Sequence, residues 1–208
     1  MSFAQMVPIE KALLEKYAHI KLPADFQGAY LKTYDEAPGR FIGYDIMWRQ
    51  GGRIYNAGNI SVTKRLLESF VKDCKGDVHQ LTGPQWDRHI IIFDSKSPNK
   101  ERYGRYGLTM AALYKFTEQL AQNGIDKTFS IIKENNIASL KFSQKFLGVA
   151  NRLRVVEEEI NAFGKTVYKE QPIFIYDTPV KETLAKLDAY TTPLPNLRLK
   201  KLSEYLGK

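Results

Sequence analysis

His89 to Asp94 (HIIIFD), then Ser97 to Gly107 (SPNKERYGRYG), is the stretch whose reading decides the fold. Ile90, Ile91, Ile92 and Phe93 run together as in a strand covered on both faces. The loop after it sets Lys100, Arg102 and Arg105 beside Gly104 and Gly107. Feeding a helix N-terminus, such a loop offers backbone N–H groups, small residues and cations to a phosphate. Leu108 to Gly124 follows as a helix with Leu113, Phe116 and Leu120 on one face and Asn123-Gly124 as its stop. Lys127 to Asn136 then reads as a second strand, and Ile137 to Gly148 as a second helix opened by Asn136 and Ser139. Strand, loop, helix and strand in that order predict a βαβ unit with a ligand at the carboxyl ends of its strands.

Upstream, Pro8 to Leu22 carries Ile9, Leu13, Leu14, Tyr17 and Ile20 at helical spacing, with Pro8 in the first turn and Pro23 as its end. His19 falls near that helix end, where a positive charge is tolerated. Ala29–Tyr34 and Arg40–Trp48 read as strands around the turn Asp35 to Gly39. Gly51-Gly52 reads as a hairpin turn before a strand around Arg53 to Tyr55. A helix from Thr63 to Cys74, capped by Ser61 or Thr63, is expected from the stripe Leu66, Leu67, Phe70 and Val71. After Gly148, two strands joined through Asn161 to Gly164 are expected to end near Asp177. Residues 178–208 read as a helical appendage to a domain spanning 1–177, ending in the basic helix Asn196 to Gly207.

Composition narrows the function classes. With 208 residues, 12 Tyr and 11 Phe, the chain can build one sizeable core. No apolar run is long enough to span a bilayer, and MSFAQMVPIEK lacks a secretory signal pattern. One cysteine, Cys74, excludes an internal disulfide, so a reducing cytoplasm is expected, and three histidines and that cysteine, widely scattered, give no zinc spacing. The net charge of +8 favours a polyanionic partner: nucleic acid, an acidic carrier protein or a phosphate-rich cofactor. A lysine-rich soluble surface explains the same number.

The segment Arg88 to Gly148 resembles the core of the GNAT superfamily of acyl-CoA-dependent N-acyltransferases. That family's loop reads [Q/R]-x-x-G-x-[G/A]. Arg102-Tyr103-Gly104-Arg105-Tyr106-Gly107 supplies its first and last positions and places Arg105 where the middle glycine belongs. The family's later Asn-x-x-Ser/Ala element is matched by Asn136-Ile137-Ala138-Ser139 and Phe142, with Ser143 where the usual tyrosine stands and Gly148 one residue late. The helix expected at Thr63 to Cys74, with Trp86-Asp87 ahead of the strand, also looks somewhat like acyl-homoserine-lactone and N-acyl amino acid synthases, which draw acyl chains from acyl carrier protein.

The resemblance implies an α/β (α+β) fold: a mixed, mostly antiparallel sheet with a central βαβ unit and helices on both faces. It implies an enzyme that moves an acyl group, acetyl in the simplest case, from acetyl-CoA or another acyl-CoA directly to a primary amine. Arg102, Gly104, Arg105 and Gly107 would cradle the pyrophosphate, and Asn136 and Ser139 would meet the pantetheine arm. A simple N-cap accounts for Asn136 equally well. Ser143 would serve as a weak acid toward the thiolate, and an ordinary polar helix residue is the plainer reading. His89 and Asp94, bracketing the strand, are the base candidates, with Glu157 to Glu159 behind them. The acceptor is a small or macromolecular amine, and a homodimer is open. Two alternatives stand beside this: a carrier-protein-dependent N-acyl amino acid or lactone synthase, and a basic GNAT-fold protein that binds or modifies nucleic acid.

Overall fold

The computed structural model describes residues 6–37, 40–66, 84–92, 102–133, 135–146, 150–160 and 166–190. The β-strands are β1 (Met6–Ile9), β2 (Phe26–Ala37), β3 (Phe41–Gln50), β4 (Arg53–Leu66), β5 (Pro84–Ile92), β6 (Lys127–Lys133), β7 (Ala150–Ile160) and β8 (Thr166–Pro179). The helices are α1 (Lys11–Tyr17), α2 (Leu108–Gln122), α3 (Ile137–Phe146) and α4 (Val180–Ala189).

The strands form one sheet in the order β1-β2-β3-β4-β5-β6-β8-β7. Every neighbouring pair is antiparallel except β5 and β6, so the fold is a mixed, mostly antiparallel α/β sheet. The β6–α3–β7 crossover advances along the sheet in the same direction as β5–α2–β6. The helices pack in a row, α1 on α2, α2 on α4 and α4 on α3.

Alternation on β3 builds the core beneath α2. Ile42, Tyr44, Ile46 and Trp48 are all buried, on the face that meets α2. Leu113, Phe116 and Leu120 answer from α2, as their spacing predicts. Gly51 and Gly52, with φ of 55° and 74°, make the two-residue turn between β3 and β4, the geometry in which both central residues need positive φ. Gly124, with φ of 70°, follows Asn123 at the end of α2.

Three elements differ from expectation. Pro8 lies in β1, not in a helix: Val7 and Ile9 are buried and Met6 and Pro8 exposed, a period of two, and pairing with β2 claims them. The helix starts only at Lys11, where Leu13 N and Leu14 N donate to Glu10 O. The strand at Arg53 continues to Leu66. Ser61 and Thr63 are therefore not helix caps but mid-strand residues, held by β3 on one side and β5 on the other. Two ladders outweigh the local apolar spacing. The rest of that expected helix, with Cys74, and the basic C-terminal helix lie outside the described residues.

Candidate active site

β5 and β6 pair only at Trp86↔Thr128 and Asp87↔Phe129. Beyond these, β5 stays with β4 to Ile92↔Gly58, and β6 stays with β8 to Lys133↔Ile173. Two parallel strands that begin as neighbours and continue on different partners leave an opening at their carboxyl ends. Arg88 crosses its apex, donating from Nη2 to Ser130 Oγ at 3.4 Å, with both residues buried. Thr128 is also buried there, and among the described residues its Oγ1 has no hydrogen-bond partner.

The basic loop sits at the N-terminus of α2. Tyr106 N donates to Arg102 O at 2.9 Å, Gly107 N to Gly104 O at 3.2 Å and Leu108 N to Tyr103 O at 3.1 Å. Those three N–H groups are spent on the turn itself. What is presented outward is Arg102, Gly104 and Arg105, all exposed, and the first turn of α2, whose N-cap Gly107 supplies no side-chain bond.

Gly107 has another duty. Its φ is 80°, and a Cβ there would stand 2.4 Å from Leu14 O and 2.8 Å from the Tyr17 carbonyl carbon. It is the point where the loop's backbone touches α1, so its glycine is required by packing. Gly104 is open, its nearest neighbour for a Cβ being Thr109 Oγ1 at 3.9 Å. Two residues that the sequence reading did not single out hold the loop down. Tyr103 and Tyr106 are buried and pack their rings on Trp48, at centroid distances of 5.4 Å and 5.5 Å. The signal was there: bulky aromatics three apart in a glycine loop need somewhere to go.

The remaining candidates spread over the sheet and α3. Asn136 Oδ1 accepts from Ser139 N at 3.2 Å, the N-cap reading of that residue. Ser139 is half-buried, and Ser143 is buried on α3. His89 is exposed on β5 and alternates with Arg88, so it faces away from the Arg88–Ser130 bridge. Asp94 lies outside the described residues; so do the side chains of Glu157 to Glu159.

Elsewhere burial, then the charges of Tyr114 and Asp188, push the Tyr17 phenol well above its ordinary range. Its hydroxyl donates to Leu187 O at 2.7 Å. Burial lowers the Lys115 ammonium, but bonds to Glu118 at 2.7 Å and Glu10 at 3.2 Å outweigh it and leave its pKa raised. Among the described residues no group of His, Cys, Asp or Glu is placed to hold a metal ion, and no helix is long and apolar enough to cross a membrane.

No protein-family model and no curated protein sequence matches the chain. Among solved structures it is similar in fold to GNAT acetyltransferases. A probable acetyltransferase of that family from Chromobacterium violaceum is 10% identical over 79% of this chain and 91% of its own, with a TM-score of 0.46. A structure described as a ribosomal-protein-serine acetyltransferase from Vibrio cholerae is 14% identical with a TM-score of 0.36; the match covers 67% of this chain and 65% of that protein's length. An N-acyl amino acid synthase from uncultured soil microbes is 12% identical over 71% and 72% of the two chains, with a TM-score of 0.34.

Proposed function

We propose that the protein is an N-acyltransferase that moves an acyl group, acetyl in the simplest case, from acyl-CoA to a primary amine by direct transfer. The parting of β5 and β6 after two paired residues carries this reading. An amide-bearing pantetheine arm entering that opening meets two strand edges that no longer bond each other, and edge N–H and C=O groups are what an extended amide chain pairs with. The first turn of α2, with Arg102 and Arg105 beside it, suits a diphosphate. Asn136 fixes the start of α3, which carries Ser143.

In the reaction, the amine nitrogen forms a bond to the thioester carbonyl carbon and the C–S bond breaks. The amine proton leaves to a base and the thiolate takes up a proton. A serine hydroxyl is too weak an acid to give its proton outright, so Ser143 acts by hydrogen bond or by ordering water. Asp94 and His89 are the base candidates; His89 faces away from the apex bridge and serves through a water chain or not at all.

Calorimetry with acetyl-CoA tests the reading. Arg102→Ala and Arg105→Ala should each weaken binding by about 1.5–3 kcal/mol, the scale of a charge-assisted hydrogen bond. No binding of CoA by the intact protein, with binding of a holo acyl carrier protein in the same assay, would replace the donor by the carrier.

A further inference from the structure

The face of β1 to β4 that turns away from α2 carries rings and cations. On β2, Ala29 and Leu31 are buried in the core, so Tyr30 and Lys32 point to the opposite face. On β3, Ile42, Tyr44, Ile46 and Trp48 take the core side and leave Phe41, Gly43, Asp45 and Arg49 on the other. Tyr34 joins them across a bulge between Thr33 and Asp35. A Cβ on Gly43 would stand 2.6 Å from both Tyr34 Cζ and Phe41 Cε1, so the two rings lie over bare backbone. They meet edge to face, with centroids 5.8 Å apart.

This face is wet. Among the described residues four large hydrophobic side chains are exposed, and Met6, Tyr34 and Ile54 of these are on it, Tyr34 at 46%. Met6 lies beside Lys32 in the β1–β2 ladder, and Ile54 beside Arg49 in the β3–β4 ladder. Apolar side chains gathered on one face, and not scattered, mark a surface that something uses. Lys32 and Arg49 are exposed as well, against the half-buried carboxylate of Asp45.

The order along β2 narrows the partner. Tyr30, Lys32 and Tyr34 set a ring, a cation and a ring on one strand, with Phe41 beside the last. The core of a protein–protein interface excludes lysine, and here Lys32 stands between the tyrosines. A second copy of the chain would also bring its own net charge of +8 against this one. Rings interleaved with cations on an open sheet suit unpaired bases, which stack on the rings while their phosphates meet the cations. The same net charge attracts such a polyanion.

We propose that the β1–β4 face binds single-stranded nucleic acid, with bases on Tyr34 and Phe41 and phosphates at Lys32 and Arg49. The proposal does not depend on the acyl-transfer reading.

The test is fluorescence anisotropy with a labelled single-stranded oligothymidylate and a duplex of equal length, across a salt series. It uses the full chain, Lys32→Ala/Arg49→Ala, Tyr34→Ala, Tyr34→Phe and a tail variant, Arg198→Ala/Lys200→Ala/Lys201→Ala. The intact protein should bind the single strand more tightly than the duplex, because paired bases cannot reach the rings. Lys32 and Arg49 are exposed, so their loss leaves the core intact, and circular dichroism verifies it. That variant should show a salt dependence shallower by about 1.4 in log K against log salt, roughly 0.7 for each lost phosphate contact. Tyr34→Ala should weaken single-strand binding about fivefold or more with the slope unchanged. Tyr34→Phe keeps the ring and should bind within about twofold of the parent. No binding of the single strand by the intact protein, or a duplex bound as tightly, overturns the proposal. So does binding that the face variants leave unchanged and the tail variant abolishes. A dimer in light scattering that Tyr34→Ala dissolves overturns it too, and gives the face to a second copy.

Discussion

Arg88 Nη2 donates to Ser130 Oγ at 3.4 Å, across the strands β5 and β6 at the place where they stop pairing. The bridge lies one residue beyond the last paired positions, Asp87 and Phe129, and both partners are buried. It ties together two strands whose ladders have already gone to other neighbours.

Ser130→Ala should therefore lower stability by about 0.5–1.5 kcal/mol, the net worth of one intramolecular hydrogen bond. Urea unfolding of the variant checks it. A midpoint equal to that of the parent would mean that the bridge holds nothing.

The two loop glycines should part company. Gly107→Ala puts a Cβ into the backbone of α1 at a φ of 80° and should cost roughly 3 kcal/mol or more, from the left-handed penalty plus the clash. Gly104→Ala meets nothing closer than 3.9 Å and should stay within about 0.5 kcal/mol. Thermal melts of the pair decide it, and similar losses in both would refute the assignment.

Tyr17 makes stability sensitive to alkali. Its folded pKa is raised above the ordinary 10.0, chiefly by burial, so the folded state holds the phenolic proton that the unfolded chain gives up. The contribution is complete below pH 10 and is lost progressively as pH rises beyond it. Tyr17→Phe should flatten that alkaline decline. At neutral pH it should cost about 1–2 kcal/mol, because Leu187 O loses its buried donor. Unfolding free energies of both proteins between neutral and strongly alkaline pH give the comparison.

Ser143 is 2% exposed. Ser143→Ala should reduce turnover by about tenfold or less if the hydroxyl acts only by hydrogen bond, roughly 1.4 kcal/mol of barrier. Ser143→Tyr finds no room and should destabilise by about 1–3 kcal/mol or more. A thousandfold loss in the alanine variant, with CoA binding intact, would make the serine a principal acid.

The sequence by itself determined the elements whose pattern is strong and local. The run of Ile90 to Ile92 announced β5, the Leu113, Phe116 and Leu120 spacing announced α2, and Gly51-Gly52 announced a hairpin, because period, caps and positive φ are written into a few adjacent residues. Asn136 as an N-cap was legible for the same reason. Tertiary structure decided the rest. Pro8 went to a strand and Thr63 to Leu66 to another because their neighbours in the sheet, distant in sequence, offered ladders that local spacing cannot foresee. The amides of Tyr106 and Gly107 went to carbonyls of the loop itself, and Gly107 became a contact with α1, because only the folded chain brings Leu14 and Tyr17 against it. A ligand end at the carboxyl ends of β5 and β6 was legible from the order of elements, but the residue at which the two strands part was not: it lies where each changes partner, and pairing is a property of the sheet.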